Sequence, residues 1–291
     1  MTPQSETSSA RPAGRICVLV PLVHDLYFSG ILSGVAEAAH ERGLELVLAP
    51  TQHEHAREAA ILDGLGDADG AIIILPEETA DELELVQSQT CPLVVIDPLM
   101  PLGDRISTVG AAHASGAGQA MRHLLELGHR RIGAIAGPPG WEATEQRRAA
   151  YHAALASAGI APDPDLLVES DFELAPGAAA AGELLDLRDP PTAIFGFNDA
   201  TAIGAMHAAA ARGLRVPDDL SIVGFDDIRY ATLVRPALTT VRQPLGEMGS
   251  TGLTLLLGLI GGRGAESRQI ELPTRLIVRE STAPQRRVGT R

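Results

Sequence analysis

Leu214–Pro244 reads LRVPDDLSIVGFDDIRYATLVRPALTTVRQP. Within it, Leu220–Gly224 is a short apolar run that predicts a buried strand, and it ends on two carboxylates, Asp226 and Asp227. A turn-rich stretch follows, then the β-branched run Thr239, Thr240, Val241, closed by Pro244. Carboxylates at the C-terminal tip of a parallel strand sit where an open α/β sheet presents ligand-binding groups, facing a crevice rather than the core.

Working outward, the same grammar repeats along the chain. Short apolar runs lie at Ile16–Val20, Leu44–Leu48, Ala71–Leu75, Leu93–Ile96, Ile132–Ala136, Ala193–Phe195 and Ser221–Gly224. Between them run Ala-rich stretches with helical periodicity, about 54–65, 78–88, 114–127, 144–158, 175–187 and 199–211, after a first in which Phe28, Ile31, Val35 and Ala38 share a face. Gly43, Gly128, Gly159 and Gly213 stand just past four of these, where a left-handed residue closes a helix. Strand-then-helix order with short links, and strands apolar throughout, predict parallel sheets covered by helices on both faces. The strands are too many for one sheet of ordinary size, so the expected fold is α/β with two Rossmann-like lobes. A helix over 245–260 and strands near 269–272 and 275–278 must join one lobe or the other, making a hinge of several strands. The expected division is 15–110 plus 242–267 for one lobe and 111–241 plus 268–284 for the other, with disordered tails at 1–14 and 285–291.

Composition narrows the function. The chain has 291 residues, 45% apolar and 21% charged, the balance of an ordinary globular protein. Its net charge of −14 argues against a direct grip on phosphate backbones. Cys17 and Cys91, both in apolar runs, read as buried thiols in a reducing cytoplasm. No apolar run is long enough to span a membrane, and the polar opening lacks the apolar core of a secretory signal. Enzyme motifs are poor: no Gly-x-Ser-x-Gly occurs, and Gly116-Ala117-Gly118 lacks its third glycine. No cofactor or metal is expected, because His53 and His55, two apart, would point to different faces of a helix.

Several longer motifs resemble the lactose-repressor (LacI/GalR) family of transcriptional regulators, in that family's order. They are GRICVLVP (14–21), LLELGHRRIGAIAGPP (124–139), EQRRAAYHAAL (145–155), PPTAIFGFNDATAIGAMHAA (190–209), VPDDLSIVGFDD (216–227), PALTTVRQP (236–244) and LPTRLIVRESTAP (272–284). The resemblance covers about residues 14–284 and implies a periplasmic-binding-protein-like core, dimeric, that holds a small polar, sugar-like effector in an interlobe cleft. Nothing in residues 1–14 resembles the family's helix-turn-helix, so contact with DNA is expected only through a headpiece absent from this sequence. Other readings are a solute-binding protein of a sugar importer and a headless sensor acting through a protein partner.

The same resemblance marks candidate effector-binding residues. Asp226 matches the family's acceptor of ligand hydroxyls and Arg147 its cleft arginine, whose planar fork suits vicinal hydroxyls. Asn198 would bind ligand or cap the helix after it, and Phe195 would stack on ligand or pack the core. Tyr27 and Phe28, at the start of the first helix, match cleft-lining aromatics, with Asp25 as a polar partner. Asp97 ends the fourth strand, and Trp141, the single tryptophan, offers a stacking face or a rim anchor. Asp227 reads as a cap or hinge residue. Where many relatives carry Asp-Asn, this chain has Ala112-His113, which puts one orienting contact of the family in question.

Overall fold

The computed structural model describes residues 14–262 and 268–285, so both expected tails fall outside it except for Gly14 and Gln285. The chain divides into two compact units. The first comprises the chain up to Asp97, Leu102–Val109 and Gly246–Gln269; the second comprises Pro98–Pro101, Gly110–Leu245 and the chain from Ile270. The chain passes from one unit to the other on either side of Pro98–Pro101, within two strands, β5 (Ser107–Ala111) and β11 (Gln269–Leu272), and at the start of α9 (Leu245–Ile260).

The first unit's sheet has the order β11-β5-β4-β3-β1-β2, with β1 Arg15–Val20, β2 Glu45–Pro50, β3 Gly70–Ile74 and β4 Leu93–Ile96. Strands β2, β1, β3, β4 and β5 pair in parallel. On one face Cys17, Leu19, Ile73 and Val95 pack with Leu62 of α2 (His55–Asp63) and Leu83 of α3 (Ala80–Gln89). Toward α9 the packing is close, because a Cβ on Gly252 would lie 2.7 Å from Ile96. α1 (Leu26–His40) meets α9 closer still: a Cβ on Gly34 would lie 1.9 Å from the Gly246 carbonyl oxygen, and one on Gly249 would lie 2.2 Å from that of Ile31.

The second unit's sheet runs β12-β10-β9-β8-β6-β7: β6 Ile132–Ala136, β7 Leu167–Glu169, β8 Ala193–Gly196, β9 Ser221–Asp226, β10 Thr239–Arg242 and β12 Arg275–Ile277. All pairs are parallel except β10 with β12. Alternation along the strands serves two cores. Ile194 and Ile222 pack with Ala181 and Leu184 of α6 (Leu174–Leu185) and Ala205 of α7 (Asp199–Ala211). Phe195, Val223 and Phe225 pack with Met121 of α4 (His113–Glu126) and Tyr151 of α5 (Glu142–Ser157). A single turn of helix, α8 (Tyr230–Leu233), follows β9.

The expected helix stops are present: Gly43, Gly128, Gly159 and Gly213 have φ of 66°, 91°, 66° and 72°. Cys17 and Cys91 are buried free thiols. A strand that the apolar runs do not mark, β5, alternates buried with half-buried residues. Among the described residues no helix is long and apolar enough to cross a membrane.

Overpacked helix contacts cost about 1–3 kcal/mol, so Gly34→Ala should lower the urea midpoint of the unfolding transition that reports the first unit. Gly118→Ala, a helical glycine of the second unit with open space around its absent Cβ, should instead raise that unit's stability to urea by about 0.5–1 kcal/mol.

Candidate functional site

The second unit gathers its polar groups at the carboxyl ends of its strands. The β9 register pairs Arg242 with Asp226, so β10 and β9 end side by side, and Gln243 and Asp226 meet there. Asp226 is 6% exposed and sits at φ 115°, with Asp227 next at φ 58°. Such left-handed backbone costs a non-glycine residue of the order of 1–3 kcal/mol, and it clusters at functional sites. Gln243 holds the carboxylate by donating from Nε2 to Asp226 Oδ1 at 2.7 Å.

Arg147 comes to this point from the second turn of α5 and is 4% exposed. Its Nη1 donates to the Phe197 carbonyl just past β8 at 2.5 Å, and its Nη2 lies 3.9 Å from Asp226 Oδ1. Nη2 also lies 3.1 Å from His113 Nδ1. A guanidinium can only donate, so Nδ1 is the acceptor and the imidazole proton of this tautomer is on Nε2. The guanidinium carbon stacks 3.9 Å from the centre of the Phe225 ring and lies 5.8 Å from that of Phe172, a cation–π setting on two sides. Arg147 Nε and Gln243 Oε1 take no bond from the protein.

Behind this layer, Asp199 opens α7 with no exposed surface. It accepts from Thr240 Oγ1 at 2.5 Å and from the Ile228 amide at 2.9 Å. Burial first, and the Asp226 carboxylate second, push the Asp199 carboxyl well above the usual carboxylate range, against those two hydrogen bonds. The direction favours a neutral Asp199, leaving Asp226 to face Arg147. Gly224 is required here, since a Cβ on it would lie 2.3 Å from Asp199 Oδ1. Asp227 turns away into a clamp, accepting from Arg242 Nε at 2.6 Å and Arg279 Nη2 at 2.5 Å, and so ties β9 to β10 and to the segment after β12.

Asn198 is the N-cap of α7, accepting from the Thr201 amide at 2.8 Å. Its other end donates to the Phe172 carbonyl at 2.8 Å, which anchors the loop carrying that ring. Phe172 has φ 63° and lies where a Cβ on Gly137 would be, 2.0 Å away, so Gly137 makes room for the ring. Trp141, at the N-cap position of α5, stacks obliquely on Phe172 with ring centres 5.8 Å apart. The expectation of a ligand-stacking Phe195 is corrected: the side chain has no exposed surface and packs in the core against Phe197.

The first unit carries its own strand-end group. Asp25 caps α1 by accepting from the Tyr27 amide at 2.7 Å, and Tyr27 Oη donates to Asp97 Oδ2 at 2.5 Å. Asp97 follows β4 at φ 54°. Phe28 is buried, edge-on to Tyr27 at 5.5 Å and 6.1 Å from the His53 ring. Asp25, Tyr27, Phe28 and Asp97 therefore lie together, as Arg147 and Asp226 do in the second unit. Among the described residues no three His, Cys, Asp or Glu side chains are arranged to hold a metal.

Sequence reasoning missed His113, Phe172, Phe225 and Gln243. The Ala112-His113 departure was visible, but not that its imidazole would reach Arg147. The remaining three are a ring from a loop, a core-like strand residue and an uncharged side chain, and none stands out by type.

Known proteins bear on this arrangement. Residues 121–282 match the model of the periplasmic binding protein-like domain. The chain is 34% identical over 277 residues to the HTH-type transcriptional regulator DegA of Bacillus subtilis (strain 168), covering 92% of this chain and 81% of that protein. The chain belongs to the LacI family of transcriptional regulators. A solved complex of the transcriptional regulator CelR with cellobiose superposes with a TM-score of 0.84 at 34% identity, covering 93% of this LacI-family chain and 85% of that one. A LacI family regulator from Enterococcus faecium with bound ribose gives 0.84 at 28% identity, covering 94% and 100%.

Asn198→Ala removes a helix cap and the anchor of the Phe172 loop together. It should destabilise the second unit by about 0.5–2 kcal/mol, read as a lower thermal midpoint.

Proposed function

We propose that this LacI-family chain is the effector-sensing core of a regulator, and that its effector is a neutral sugar or sugar-like polyol taken up against Arg147 and Asp226. The observation that carries the reading is that pair: two opposite charges, nearly fully buried at a strand end, 3.9 Å apart. Their charges offset each other, so a neutral guest adds no unpaired charge to a desolvated place, whereas a phosphate or carboxylate would. Arg147 Nε can donate further and Gln243 Oε1 can accept. A hydroxyl both donates and accepts, and so meets either need. Trp141 and Phe172 supply flat faces of the kind that pack on a sugar ring. The cellobiose and ribose held by CelR and by the Enterococcus faecium regulator support the same class.

The first unit offers its own set of hydrogen-bonding groups in Asp25, Tyr27 and Asp97. Phe28 acts there as the packing partner that fixes Tyr27. Effector binding stabilises one of two states of a homodimer, and differential affinity for the two is what a regulator transmits to DNA. The relatives are regulators rather than enzymes, and we expect the ligand to be released unchanged.

The test is a thermal-shift screen of neutral sugars, sugar phosphates and nucleosides, followed by calorimetry on the hits. A hydrogen bond to a charged group contributes about 1.5–3 kcal/mol, so Arg147→Met and Asp226→Asn should each weaken a neutral sugar about tenfold or more. Undiminished binding in both variants, or stabilisation by sugar phosphates alone, would overturn the reading.

A further inference from the structure

A second buried acidic arrangement lies in the first unit. Glu58 is on α2 and Glu78 is in the connection from β3 to α3, and they are 1% and 2% exposed. All four of their carboxylate oxygens are buried, and none takes a hydrogen bond of ordinary geometry from a protein donor. The two carboxyls act on each other at close range, and the Glu77 amide opposes the protonation of Glu58. Carboxylates can only accept, so two ionised groups facing each other there would repel, with a backbone amide as the main counterweight. Either a cation or a proton must lie between them. A metal is poorly served, because among the described residues no third His, Cys, Asp or Glu joins them in a metal-holding arrangement.

The surrounding charges leave room for only one proton. On α2, His55 is half exposed and reaches Glu78 at 3.8 Å, beyond a hydrogen bond, while its Nε2 lies 3.4 Å from Glu82 of α3. Glu82 is committed to capping Thr79, accepting from its amide and hydroxyl at 2.8 Å. Glu77, next to Glu78, is engaged by His53 at 3.2 Å. His55 therefore offsets the pair only when it is protonated, and does so from 3.8 Å. Thr51, which precedes α2, adds one more buried hydroxyl with no partner to this part of the unit.

We propose that Glu58 and Glu78 form a proton-shared carboxyl pair that latches α2 to the β3–α3 connection, and that losing the proton at alkaline pH releases the latch. The donor is Glu58: burial first, and the facing Glu78 second, push its carboxyl up to about 9. Glu78 is raised too, by burial, with the hydrogen bond from Glu58 working the other way, as an acceptor's should. The sign follows from linkage. A carboxyl raised in the folded state binds its proton more tightly there than in the unfolded chain, so its stabilisation is complete below the ordinary carboxylate range and is lost as pH rises through about 9. This is the reverse of a salt-bridged acid. The latch also bears on His53, which bonds to Glu77 and faces Phe28.

The experiment compares the full chain with Glu58→Gln, whose amide donates to Glu78 without a titratable proton. From about pH 7 to 10 the thermal midpoint of the parent should fall by about 5 °C or more relative to the variant. Curves that stay parallel overturn the proposal. Glu78→Gln should behave as Glu58→Gln does. If neither variant folds, carbon NMR of the parent labelled at its Glu carboxyls decides. One Glu resonance titrating near pH 9 upholds the pair, and all titrating in the ordinary carboxylate range sinks it.

Discussion

Strands covered on both faces have no polar surface along their length, and this constraint organises the molecule. In the second unit Ile194 and Phe195, neighbours on one strand, enter different cores, and neither can be made polar without stranding a buried group. Chemistry is therefore confined to strand ends. Among the described residues the seven non-glycine positions with left-handed backbone are Gln52, His53, Leu75, Asp97, Phe172, Asp226 and Asp227. Each follows the carboxyl end of a parallel strand within three residues or terminates it. Backbone of this kind is unfavourable for residues with a Cβ, so its confinement to one edge of the sheets means that the packed interior sustains it there.

The Arg147 site shows how that interior is used. The guanidinium is held by a carbonyl, an imidazole and an aromatic face before any guest arrives, so little side-chain freedom remains to be lost on binding. The support is built from backbone economy as much as from charge. Gly224 lets Asp199 approach β9, Gly137 admits the Phe172 ring, and Asn198 spends both ends of its amide on α7 and on the Phe172 loop. Asp226 and Asp227, adjacent in sequence, have opposite fates. The strand ending turns one toward Arg147, and two arginines draw the other into a clamp.

The alternation of apolar runs and Ala-rich helices was legible because doubly covered strands must be apolar throughout. Glycine helix stops were legible because few other residues tolerate positive φ. β5 and β7 were not seen, since one alternates buried with half-buried residues and the other is three residues long and largely unburied. At the site, Arg147 and Asp226 were legible through a family resemblance, and the residue types fit the chemistry. His113, Phe172 and Gln243 meet Arg147 or Asp226 only through contacts distant in sequence, such as the 34-residue separation between His113 and Arg147. Periodicity and motif reading do not carry that kind of information. For Phe195 the sequence left stacking on ligand or packing the core open, and its place in the alternation turned it inward.

Two of the buried acids, Asp199 and Glu58, differ in a way that burial alone does not explain. Both are raised chiefly by desolvation. Asp199 has a hydroxyl and an amide donating to it, so either protonation state keeps its partners and the surrounding packing need not change. Glu58 faces another carboxyl, so that contact exists in one protonation state and becomes repulsive in the other. Satisfied donors therefore make a buried acid a fixed part of the scaffold beneath the site. A facing carboxyl makes Glu58 and Glu78 a conditional joint in the other unit, and the difference rests on what faces the acid rather than on how deeply it lies.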